Sequence, residues 1–209
     1  MSKRSFSLAL LLCVVASVAN AESPTRKRTK PPAEAERVRV NAGTSFEQAL
    51  RLLKLGRVAE ARALLRTQLK EQPGHLEAHR VLAQLLLDGG LTSEAESVLT
   101  QAQRLSPGSA DIARTLALLQ LQRGAVAVAL ASLETSRTAA AGDAEYLAFM
   151  AALHQRLGQH VEANARWEDA LAVTPGKGEW LYAQWVSRRA LGDALGARMS
   201  AEEALASGQ

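Results

Sequence analysis

His75 and His79 are four residues apart, the spacing at which one helical face offers two imidazoles to a metal ion. His75 follows Pro73-Gly74, where a helix has barely begun, and no third ligand stands near in sequence, whereas a zinc site needs three or four. The pair reads as a polar turn histidine and a surface histidine, and His154 and His160, flanking Gly158, read as exposed polar positions. Nucleophilic chemistry is as poorly supplied. There is no G-x-S-x-G turn, and the single cysteine, Cys13, lies inside an apolar N-terminal run. Glu168-Asp169 and Glu202-Glu203 are adjacent, so on a helix their carboxylates point in different directions instead of facing across a cleft. No Gly-rich phosphate loop is present. The expectation is a protein with no catalytic centre, no metal and no cofactor.

The elements that would carry any site are written in a repeat. Glycine recurs every 34 residues at Gly56, Gly90, Gly124, Gly158 and Gly192, followed five residues later by Ala61, Ala95, Ala129, Ala163 and Ala197. Ala49, Ala83, Ala117 and Ala151 keep the same phase, as do Pro73, Pro107 and Pro175. Between these markers apolar residues fall at three- and four-residue spacing, as in Leu82, Ala83, Leu85, Leu86 and then Ala95, Val98, Leu99, Ala102. Each unit therefore reads as helix A, turn, helix B, turn. Glycine ends helix A in a left-handed conformation, alanine lets helices approach closely, and proline ends helix B because its ring lacks an N–H.

Residues 1–21 differ in composition. Lys3 and Arg4 precede an apolar run from Phe6 to Val18 and then Ala19-Asn20-Ala21, the pattern of a secretory signal peptide cut after Ala21. The run is shorter than the roughly 20 residues that span a bilayer as a helix. An uncleaved inner-membrane anchor is the alternative, because Arg26, Lys27, Arg28 and Lys30 follow closely. Residues 22–41 form a basic, proline-containing stretch expected to be a disordered linker, either solvated or in contact with a membrane surface, peptidoglycan or an acidic partner. From residue 41 onward seventeen Lys and Arg oppose eighteen Asp and Glu, a net of −1, so the basic pI belongs to the leader and linker and no nucleic-acid partner is implied.

The repeat resembles the tetratricopeptide repeat (TPR), a 34-residue helix–turn–helix family with small residues at positions 8 and 20, a bulky one at 24 and proline at 32. The units would be 42–75, 76–109, 110–143, 144–177 and 178–209, with Leu65, Leu99, Leu133 and Trp167 in the bulky column. Departures gather at the ends, with Gln48 in a leucine column, Trp185 where alanine is expected and Ala201 where a bulky residue is. The resemblance implies an all-α fold, a right-handed α-solenoid of five units, binding protein partners without catalysis.

In that family helix A lines the concave face through positions such as 5, 9, 12 and 13. Carried over, these give the candidate partner-binding residues Arg80, Gln84, Arg114, Gln122, Tyr182 and Arg189, among apolar neighbours including Leu50, Leu118, Ala152 and Val186. The lysine and asparagine that clamp a C-terminal carboxylate in some members are here Phe46 and Leu50, which argues against that mode. Arg80 and Arg114 either meet an acidic ligand or sit as solvated groove-edge charges. Trp180, Tyr182 and Trp185 crowd one terminal helix and read as exposed aromatic candidates for partner contact, the alternative being a sealed terminal core. The outer face of residues 195–206 is expected either to be polar enough for solvent, through Arg198, Glu202 and Glu203, or to be covered by a partner.

The stretch from Tyr146 to Ala183, with Ala151-Ala152-Leu153, Gln155-Arg156, Gly158 and Gly176-Lys177-Gly178-Glu179-Trp180, is also similar to the C-terminal repeats of the MshN family, biogenesis proteins of the mannose-sensitive haemagglutinin (MSHA) type IV pilus. It implies a periplasmic scaffold in pilus or related secretion-system assembly. Two alternatives stay open: a general periplasmic adaptor for envelope maintenance or cytochrome assembly, and, from another class, a ligand-carrying or catalytic domain.

Overall fold

The computed structural model describes residues 44–207, and the signal peptide, Cys13 and the linker lie outside them. Among the described residues there are ten α-helices and no strand: α1 Ser45–Lys54, α2 Val58–Glu71, α3 Leu76–Asp88, α4 Thr92–Leu105, α5 Ala110–Gln122, α6 Val126–Glu134, α7 Ala144–Arg156, α8 His160–Val173, α9 Gly178–Ala190 and α10 Ala194–Ala206. They form five antiparallel hairpins, and each helix packs on its neighbours in chain order, so the fold is an α-solenoid.

The glycines end the helices as their spacing predicts. Gly56, Gly90, Gly124, Gly158 and Gly192 have φ between 71° and 76°. At each the glycine N–H and the next N–H fold back onto two carbonyls of the last turn; Gly158 donates to Gln155 and Gln159 donates to His154, both at 3.0 Å. This double closure satisfies carbonyls that a helix end otherwise leaves unpaired. The alanines five residues on are buried to between 0 and 3 % exposure, and the Leu65, Leu99, Leu133 and Trp167 column is buried beside them. Each fully buried leucine of this kind contributes about 1.5–3 kcal/mol.

The third hairpin departs from the pattern. Helices α2, α4 and α8 have 14 residues, whereas α6 has nine and gives way to turns. Its last carbonyls are taken by side chains. Gln103 and Thr135 donate to the Ser132 carbonyl, and Tyr146 Oη donates to that of Leu133 at 2.7 Å. Backbone bonds there shorten to the i+3 type, from Ser136 to Leu133 and from Arg137 to Glu134. Hydroxyl side chains compete with the helical ladder, and here they displace it.

Candidate functional site

Helix A of the interior units buries several columns and leaves another uncovered. The third and fourth positions, Ala78/His79, Ile112/Ala113, Tyr146/Leu147 and Trp180/Leu181, are all buried against the preceding unit. The ninth position is not: Leu50, Gln84, Leu118, Ala152 and Val186 are exposed or half-buried, and Leu118 is 46 % exposed. Four of these five residues are apolar, and they align once per repeat into a stripe along the helix-A surface.

Charge borders the stripe near the helix N-termini. Arg80 lies 3.2 Å from Glu77 and 3.9 Å from Asp111, Arg114 pairs with Asp143, and Lys177 pairs with Glu145. The last three contacts tie helix A of one hairpin to the start of helix A of the next, Asp143 and Lys177 being the cap residues just before α7 and α9. Asp143 also caps α7, accepting from the Tyr146 N–H at 3.0 Å. Arg80 and Arg114, expected to meet an acidic ligand or to be solvated, are thus tied into the solenoid, Arg114 also lying 5.5 Å from the Tyr146 ring centroid. At the other helix end Gln122, Arg156 and Arg189 are exposed. Gln84 is exposed and donates to Asp88 at 2.7 Å.

Three expectations are corrected. Trp180 is not an exposed aromatic; it is 6 % exposed, packed among Ala144, Leu147, Trp167 and Ala170 with the Lys177 ammonium 4.2 Å from its ring centroid. Its place in the column of Ile112 and Tyr146 is the signal that gives this away. His79 is fully buried and donates through Nε2 to the Pro73 carbonyl at 2.7 Å, because its column is the one filled by Ala113, Leu147 and Leu181. His154 is 7 % exposed in the column of Leu52 and Leu86, with Nδ1 2.8 Å from Gln159 Oε1. His75 caps α3 by accepting from the Ala78 N–H. Among the described residues no three metal-ligating side chains come together.

Tyr182 is 61 % exposed and stacks on half-buried Trp185, with centroids 5.3 Å apart, while the Arg189 guanidinium lies 4.9 Å from the Trp185 centroid. These residues border a cleft of about 500 Å³ between α9 and α10. The outer face of α10 is apolar as well as charged, with Leu195 at 72 %, Met199 at 59 % and Leu205 at 75 % exposure.

A stacked array of helical hairpins with an uncovered, mixed apolar and charged helix-A surface defines the class: a repeat-built solenoid. Family models of the tetratricopeptide repeat match residues 46–110 and 86–153, together just over half of the chain. The chain belongs to the tetratricopeptide-repeat family, whose repeats mediate protein–protein interactions.

Among solved structures it is similar to MamA, with 18 % identity over 77 % of this chain and 94 % of that one, at a TM-score of 0.61. A MamA fragment from Desulfovibrio magneticus RS-1 gives 16 % identity, coverages of 78 % and 93 %, and a TM-score of 0.58. YrrB, described as a TPR protein with an unusual peptide-binding site, gives 16 % identity, coverages of 83 % and 90 %, and a TM-score of 0.64. At these identities the likeness shows the fold. No curated protein sequence matches the chain.

Proposed function

We propose that this protein is a non-catalytic scaffold that holds a segment of another protein along its helix-A surface. The observation that carries this reading is the once-per-repeat stripe of Leu50, Leu118, Ala152 and Val186, left uncovered while the columns beside it are buried. An apolar stripe rimmed by charge suits a partner that buries side chains centrally and makes polar contacts at the edge. Gln84, Gln122 and Arg189 are the polar side chains best placed to meet it, and Tyr182 extends the surface at the C-terminal end. The reading involves no cofactor and no nucleic acid.

The scaffold acts in the periplasm, in assembly of an MSHA-like type IV pilus or a related secretion system. The leader pattern of residues 3–21 supports export, and the resemblance of residues 146–183 to pilus-biogenesis repeats supports the assembly role. Intact-mass analysis of the protein from a fractionated bacterial host tests the first: a periplasmic chain beginning at Glu22 is expected, and a full-length cytoplasmic chain would overturn export. Deleting the gene and counting surface pili tests the second. Loss of pili, restored by the wild-type chain, is expected, and unchanged piliation would remove the pilus assignment.

A further inference from the structure

Each interior junction of the array is closed in the same manner, by helix A of the next unit. Helix α3 packs on α2, α5 on α4, α7 on α6, and α9 on both α8 and α7. The last groove, between α9 and α10, has the same construction and no described helix in it. It is lined by Glu179, Tyr182, Trp185, Ala201, Ala204 and Leu205.

Two exchanges of size shape it. Ala201 stands in the column that Leu65, Leu99, Leu133 and Trp167 fill in earlier units, and Trp185 stands where those units have alanine. The result is an alanine floor beside a wall of stacked Tyr182 and Trp185, with Leu205 on the far side. Charge adds a second constraint. One unit earlier Glu145 pairs with Lys177, the residue just before α9, and its equivalent 34 residues on is Glu179, exposed at this groove.

We propose that the α9/α10 groove docks an amphipathic α-helix of a partner protein, seated as helix A of the next unit is seated at the interior junctions. That helix places a bulky apolar side chain over Ala201 and Ala204 and carries a lysine or arginine just before its first turn, opposite Glu179. The first helix of a second copy lacks the basic residue, being preceded by Asn41-Ala42-Gly43-Thr44. The chain's own residues 22–43 are basic but contain no aromatic, leucine, isoleucine or methionine to fill the cleft. This site shares Tyr182 with the C-terminal end of the helix-A surface but none of the stripe residues Leu50, Leu118, Ala152 and Val186, so either can fail without the other.

The probe is a synthetic peptide of residues 177–190, the segment that closes the preceding groove, labelled with fluorescein and titrated into the full-length protein. Saturable binding is expected. Ala204→Trp, which fills the floor, should weaken it at least about tenfold, or about 1.4 kcal/mol, with helical circular dichroism unchanged. Leu205→Glu, on an exposed position, should weaken it in the same direction and serves if Ala204→Trp does not fold. Glu179→Lys should cost about twofold to fivefold, regained with the Lys177→Glu peptide. Absence of saturable binding, or binding indifferent to Ala204→Trp and Leu205→Glu, overturns the proposal. Photo-crosslinking in the native host from Leu205→benzoylphenylalanine assigns the occupant by sequencing the adduct: an amphipathic helix of another protein preceded by lysine or arginine supports the proposal, and a segment of a second copy, its α9 included, or of residues 22–43 overturns it.

Discussion

Tyr146 donates its hydroxyl hydrogen bond to the Leu133 carbonyl at 2.7 Å, at the point where α6 ceases to be a helix. The ring is fully buried, so this bond joins the third hairpin to the fourth inside the core. Tyr146→Phe keeps the ring and removes the donor. It should cost about 1 kcal/mol, read as a lower urea midpoint at neutral pH.

The same tyrosine makes stability sensitive to alkali. Burial pushes the Tyr146 phenol from 10.0 up to about 12, so the native state holds its proton more tightly than the unfolded chain does. The stabilisation is complete below the unfolded value and is lost as pH rises through about 12. Urea midpoints measured between those two pH values should fall steeply in the wild type and less in Tyr146→Phe.

Gly158 and Gly74 both have open space where a Cβ would stand, but only Gly158 has a positive φ, at 71°. Gly158→Ala should therefore destabilise by about 1–2 kcal/mol through backbone strain alone. Gly74→Ala should be neutral or slightly stabilising, by up to about 1 kcal/mol, because it restricts the unfolded chain. Paired thermal unfolding curves distinguish the two, and equal losses would contradict the strain argument.

Asp143 has two roles that substitution separates. Asp143→Ala removes both the α7 cap and the partner of Arg114, with an expected cost of about 1–2 kcal/mol. Asp143→Asn retains the cap and loses only a half-exposed ion pair, for which less than about 1 kcal/mol is expected. Added salt should narrow the difference between wild type and Asp143→Asn and leave that between Asn and Ala intact.

Trp180 and Tyr182 lie two residues apart on α9 and should respond oppositely. Trp180→Ala empties a core site and should cost about 3–5 kcal/mol. Tyr182→Ala, on a side chain 61 % exposed, should change stability by less than about 0.5 kcal/mol while weakening partner binding.

Column position in the repeat was the part of the sequence that translated into structure. Glycine, alanine and leucine columns became turns, helix contacts and core, because each unit meets the same neighbours. Trp180, His79 and His154 have side chains whose type suggests a surface, but they stand in core columns, and burial follows the column. The shortening of α6 was beyond local reading, since it depends on Gln103, 29 residues before Ser132, and on Tyr146, 13 residues after Leu133. The ion pairs of Arg80 and Arg114 were similarly hidden, because their partners stand about 30 residues on, at the start of the next helix A. The exchange of Trp185 and Ala201 was visible in the sequence, but the cleft it opens is a consequence of how α9 and α10 pack.

The most direct test of the scaffold reading is photo-crosslinking in the native host from Leu118→benzoylphenylalanine, on the uncovered stripe, against Val161→benzoylphenylalanine on helix α8. Both positions are exposed, at 46 % and 64 %, so accessibility does not separate them. The account predicts adducts with an inner-membrane pilus or secretion component at Leu118 and none at Val161. Adducts with that component at Val161 alone, or none at either position, would contradict binding along the helix-A surface.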